Sequence, residues 1–99
     1  MNYNDLIEST KKSNPPSKLF GIRLAVWHIL KDDWDMAHNI AQDIKSKNAS
    51  WVHAYLHRQE GDIGNAHYWY RIANKNPYSG SLKIELDDII ASVFNQNEK

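Results

Sequence analysis

Residues 24–44 and 53–73 carry one pattern twice, at an offset of 29. Aligned without gaps, five of the 21 columns are identical: Ala25/Ala54, His28/His57, Asp33/Asp62, Ala37/Ala66 and His38/His67. In each copy one alanine falls midway along a first segment and another falls one turn into a second, with an acidic corner between them. A chain that repeats itself over a few tens of residues builds units that bury their apolar faces against one another. Small residues on both arms let paired helix backbones approach closely. The repeat therefore predicts stacked helical hairpins. It constrains architecture far more than activity.

The punctuation of the chain agrees. Asn4 is placed to cap a short helix from Asp5 to about Lys12, which Ser13-Asn14-Pro15-Pro16 ends because proline fixes φ and lacks a donor. Ser17 is a candidate cap for a helix over 18–31, where Leu19, Phe20, Ile22, Leu24, Val26, Trp27, Ile29 and Leu30 occupy nearly every face. A helix apolar all round is expected at the centre, covered on two sides. Asp33 caps the next helix, 34–46, whose Ala37, Ile40, Ala41 and Ile44 have the spacing of one buried face. A helix from Ala49 to Glu60 follows, with Gly61 just beyond its end, and Asp62 then caps a helix from Ile63 to about Asn74.

After the turn Asn74–Gly80, Ser79 or Ser81 opens a last helix carrying the stripe Leu82, Leu86, Ile89, Ile90 and Val93, with a polar tail, Asn95–Lys99, expected to fray. No segment sustains period-two alternation, so no strand is expected. The expected fold is all-α. It is a single domain over residues 1–99, with repeat one at about 18–46, repeat two at about 49–74, a short N-terminal helix, and a capping helix at about 81–96.

In the second copy, Ala54, Gly61, Asp62, Ala66, Tyr70, Ala73 and Pro77 resemble a tetratricopeptide repeat, which has small, Gly, acidic, Ala, aromatic, Ala and Pro residues in this order at nearly these spacings. The resemblance spans roughly residues 20–78 and implies stacking of helical hairpins. The first copy departs from it: Asp32 stands at the glycine position and Ala41 at the aromatic one. The offset of 29 is short of the family's ~34. Trp51 lies one position from the family's tryptophan, and His53 and His57 replace its Leu and Tyr. The stretch 51–73, with its Gly-Asp-x-x-Asn-Ala-x-Tyr-Trp core, also resembles small uncharacterised helical proteins, a likeness that carries no activity with it.

Composition removes several classes of function. Twelve Lys and Arg balance twelve Asp and Glu, so no net field draws nucleic acid or an anionic membrane. Absence of cysteine excludes disulfides and thiolate metal sites. The longest apolar run, Leu24–Leu30, is too short to span a bilayer, and the first residues lack a signal-peptide pattern. A cytoplasmic protein is expected. No serine or cysteine nucleophile has a supporting constellation, Gly61 and Gly64 do not make a dinucleotide fingerprint, and Asp32, Asp33 and Asp35 are accounted for by helix capping.

Two constellations remain. His53 and His57 lie four apart, on one face of an expected helix, where both rings can reach one Zn²⁺ ion. A third ligand would come from His67, His28 or Asp62 across the hairpin, and Glu60 or Asp62 would orient a ring. On that reading the chain is a metal-dependent or acid–base enzyme with His57, His53 and Asp62 as its catalytic groups and His53, His57 and His67 as its metal set. The plainer reading, preferred at this point, packs both rings at the core margin with one nitrogen of each bonded to a neighbouring helix; it needs no cofactor.

The second constellation is aromatic and basic: Trp51, Tyr55, Arg58, Tyr68 and Arg71. Tyr70 and Trp69 are expected to face the core, and Tyr68, about 100° round the helix, to face outward. Such a surface suits a protein or peptide partner, read through aromatic and guanidinium contacts. The leading expectation is thus a binding or self-association module without enzymatic activity, with the site on the second copy. A homo-oligomer fits as well, since two repeats leave much edge to cover.

Overall fold

The computed structural model describes residues 1–95, and within them the chain is helical throughout: α1 (Tyr3–Ser9), α2 (Gly21–Leu30), α3 (Trp34–Gln42), α4 (Lys47–Gln59), α5 (Ile63–Ile72) and α6 (Leu82–Asn95). There is no strand among the described residues. Helices α2 and α3 form one antiparallel hairpin and α4 and α5 a second; α3 packs on α4, and α6 closes against α4, α2 and α1. None of these helices is long and apolar enough to cross a membrane. The expected fraying of the tail falls, beyond Asn95, outside the described residues.

The two corners are copies of each other. Asp32 and Gly61 both take positive φ, +61° and +88°. The next amide then reaches back five residues: Asp33 N–H donates to His28 O at 2.9 Å, and Asp62 N–H donates to His57 O at 2.8 Å. That bond closes a left-handed helix C-terminus by satisfying an orphan carbonyl. Each aspartate then accepts from the third residue of the following helix, Asp33 from Met36 N and Asp62 from Asn65 N. Asn74, at φ +61°, ends α5 in the same way, with Lys75 N–H on Tyr70 O.

Helix starts differ from expectation where a stronger local signal wins. Helix α1 begins earlier because Asn2, not Asn4, accepts from Asp5 N at 2.8 Å. Ser17 caps nothing among the described residues. Leu19 N–H bonds Pro16 O in a turn, Phe20 is extended and Gly21 takes φ +62°, so α2 starts at Gly21. Helix α3 stops at Gln42 because Ser46, expected inside it, is extended and its hydroxyl accepts from Ala49 N to start α4. Of the two caps expected for the last helix, Ser81 is the one used, accepting from Ile84 N, and α6 starts at Leu82, close to the expected 81.

The central helix is also not the one expected. Every residue from Ala49 to His57 on α4 is buried, whereas α2 leaves Ile22, Leu24 and Leu30 only half-buried. Apolar content alone does not mark α4 because its buried face includes Trp51, His53, Tyr55 and His57 as well as aliphatic residues. The paired alanines Ala25, Ala37, Ala54 and Ala66 are all buried. Helix α1 is tied down by Leu6 in the core and by Trp27 Nε1–H donating to Ser9 Oγ at 3.0 Å.

Candidate functional site

Glu85 of α6 is fully buried and organises the inner end of the second hairpin. Trp51 Nε1–H and the Tyr70 hydroxyl donate to its Oε2 at 3.0 and 2.6 Å. Arg58 donates to Oε1 at 2.7 Å and, through its other terminal nitrogen, to Gly80 O. A carboxylate withdrawn from water costs several kcal/mol unless paired and hydrogen-bonded, and here it is both. Burial first, and the bond to Glu85 second, push the Tyr70 hydroxyl far above its ordinary value; Tyr55 is raised as well, chiefly by burial and then by Glu85.

This node divides the expected binding face. Trp51, Tyr55 and Arg58 are spent on the interior; Lys75 covers the Trp51 ring with its ammonium 4.0 Å from the centroid. Only Tyr68 and Arg71 face outward, with Arg71 over the Tyr68 ring at 6.0 Å. Tyr70 is buried, as expected, and Trp69 is half-buried against the core.

Outside the node, a cleft of about 510 Å³ opens between α5 and the α3–α4 connection. Tyr68, Trp69 and Ile72 line one side, and Ile44, Lys45 and Lys47 the other. Tyr68 and Ile72 lie four apart on one face of α5 and are 47% and 49% exposed. The cleft is apolar along its wall and basic at its rim.

Behind Trp69 lies a cluster of imidazoles. Trp34 and His38 are one turn apart on α3, His53 and His57 one turn apart on α4, and the packing of these helices brings the two pairs together. Ring centroids of His38 and His53 are 4.6 Å apart, His53 and His57 4.9 Å, and His38 and His57 5.3 Å. Two tryptophans bracket the group: Trp34 stacks on His38 at 4.8 Å and Trp69 on His53 at 3.9 Å. Trp34 is held in place by its Nε1–H, which donates to Leu56 O at 2.8 Å. A metal-binding atom from each of His38, His53 and His57 lies within 4.8 Å of the others.

The three rings are not equivalent. His57 Nδ1 is 2.8 Å from Glu60 Oε2, one turn along the same helix. Among the described residues, neither His38 nor His53 hydrogen-bonds a protein group. The expected bonds to a neighbouring helix are therefore absent from this set, although the rings do pack at the core margin. Burial, then the neighbouring His38 and His57, push His53 down to about 4; burial and then His57 lower His38.

The set His53, His57 and His67 is not assembled: His67 is exposed on α5, and the third member is its repeat equivalent, His38. Helix α3 turns His38 toward α4, whereas α5, though it also packs on α4, leaves His67 exposed. His28 is also elsewhere, 3.8 Å from Asp33 and edge-on to Trp27. Asp62 lies near His57 and Glu60 but is engaged as the cap of α5. The sequence signal for His38 was the pairing of Trp34 and His38 with His53 and His57 at the same i, i+4 spacing on adjacent helices. Glu85 did have a signal, its register three after Leu82 and four before Ile89, which puts an acidic residue on the apolar stripe of its own helix.

No protein-family model, no curated protein and no solved structure matches this chain.

Proposed function

We propose that the protein is a small helical binding module, whose two hairpins are degenerate, tetratricopeptide-like copies, and that it receives a segment of a partner protein in the cleft beside α5. The observation that carries this reading is the wall of Tyr68, Trp69 and Ile72 facing Ile44 across about 510 Å³, with Tyr68 and Ile72 half in solvent. Aromatic and aliphatic anchors in a concave site supply most of the energy of protein recognition, and charges at the rim set the choice of partner. Lys45 and Lys47 at that rim favour a segment with an apolar side chain to insert and carboxylates beside it. The repetition of both corner geometries at an offset of 29 supports the repeat origin of the scaffold.

The test compares wild-type protein with a Tyr68→Ala/Ile72→Glu double variant in affinity capture from native cells. Both side chains are about half exposed, so the fold tolerates the change. A partner recovered by the wild type and lost by the variant is the expected result; equal recovery of every partner removes this face from consideration. Sedimentation of the two proteins over a range of concentrations separates self-association from capture of another chain.

A further inference from the structure

We propose that His38, His53 and His57 form a binding site for one divalent metal ion of the zinc class, which clamps α3 of the first hairpin to α4 of the second. Three observations converge on it. The first is assembly: ligand atoms of three imidazoles, drawn from two helices, lie within 4.8 Å of one another. Around a tetrahedral Zn²⁺ with Zn–N of ~2.0–2.1 Å, nitrogens stand about 3.3 Å apart, so small side-chain rotations close the set. The second is the lack of any protein hydrogen bond on His38 or His53 among the described residues. Among the described residues no fully buried side-chain nitrogen lacks a partner, so these ring nitrogens meet solvent, and no protein group competes with an ion for them.

The third observation is Glu60. Its carboxylate at 2.8 Å from His57 Nδ1 leaves Nε2 of that ring as the ligand. Carboxylate behind histidine is the usual support for a metal-bound imidazole, fixing its tautomer and raising its basicity.

The chain has no cysteine, so the donors are nitrogen, which suits Zn²⁺, Ni²⁺ or Cu²⁺. Three protein ligands leave a fourth position for water or an outside ligand, reached from the half-exposed His38 side. A competing group, His57 with Glu60 and Asp62, shares a ligand, but Asp62 is held by Asn65 as the α5 cap.

The test uses the full chain, purified without added histidines and stripped of metal by chelation. It is titrated with Zn²⁺ by calorimetry and with Co²⁺ by visible absorption. Expected are one equivalent of either ion and a four-coordinate cobalt spectrum. Glu60→Gln weakens Zn²⁺ binding by about 10–100-fold, and His38→Ala, which removes a ligand, by about 100-fold or more. His67→Ala and the Tyr68→Ala/Ile72→Glu variant bind as the wild type does, so failure of the docking surface leaves this site untouched. Zn²⁺ in about 100-fold excess over Kd raises Tm by on the order of 10 °C in the wild type and not in His38→Ala. His38 is half-exposed, and circular dichroism of His38→Ala establishes that lost binding is not lost folding. The proposal is overturned by absence of saturable one-to-one binding, or by equal affinity in wild type and His38→Ala. It is overturned too if His38→Ala keeps full affinity while Asp62→Ser, which retains a cap, loses it.

Discussion

Glu85 shows what one buried charge commits a small protein to. Its partners come from α4 and α5, and Arg58 is its counter-ion. Removing Arg58 alone strands the carboxylate, so Arg58→Ala is expected to destabilise by about 3–5 kcal/mol. Replacing both charges with apolar residues of similar volume, Arg58→Met with Glu85→Leu, is expected to cost less than the sum of the two single changes, because neither charge is then left buried alone, although Trp51 Nε1–H and the Tyr70 hydroxyl lose their acceptor. Urea midpoints for the two singles and the double close this cycle; additive losses would mean that the ion pair is not coupled. The same residue explains a limit of sequence reading. Trp51, Tyr55 and Arg58 have the composition of an interface, and an acidic residue about 30 positions away, on the apolar stripe of α6, draws Trp51 and Arg58 inward.

At the scale of elements, the corners were the most legible part of the chain and the helix starts the least. Gly61 and the acidic caps Asp33 and Asp62 sit where their spacing predicts, since a positive φ and an orphan amide leave few alternatives. Starts slipped by two residues at α1, where Asn2 rather than Asn4 caps, and by three at α2, where Gly21 rather than residue 18 begins the helix. Asp32 occupies the left-handed position that Gly61 fills in the second copy, and a side chain there is strained. Asp32→Gly is therefore expected to stabilise by about 0.5 kcal/mol and Gly61→Ala to destabilise by about 1 kcal/mol. Opposite shifts in the urea midpoint check the pair; same-sign shifts would show that the two corners are not equivalent.

At the scale of the whole molecule, the histidine cluster makes metal-free stability depend on pH. Burial and the facing His38 and His57 hold His53 down to about 4 when folded, against an ordinary value of 6.5 when unfolded; Glu60 is the carboxylate on that side. Because the unfolded chain binds the extra proton more readily, the stability from neutral His53 is complete above about pH 6.5. It declines as pH falls toward about 4 and changes no further below that. The loss is on the order of 1–2 kcal/mol after allowance for screening at the rim of the cluster. Urea unfolding between pH 4 and pH 7.5, compared for wild type and His53→Asn, measures it; identical slopes would assign the dependence elsewhere. The cluster was half visible in the sequence. His53 and His57 follow from i, i+4 spacing, whereas the choice of His38 over His67 depends on which face of α3 and of α5 is turned toward α4.

Each of the four tryptophans spans a different junction. Trp27 reaches Ser9 on α1, Trp34 the Leu56 carbonyl on α4, Trp51 the Glu85 carboxylate on α6, and Trp69 lies on the His53 ring. The molecule thus carries its own set of spectroscopic probes, one per seam, with no label to be added. Loosening of α1, separation of the hairpins, opening of α6 and occupancy behind the α5 cleft each act on a different indole. Replacing the tryptophans singly with phenylalanine turns one fluorescence trace into four local ones.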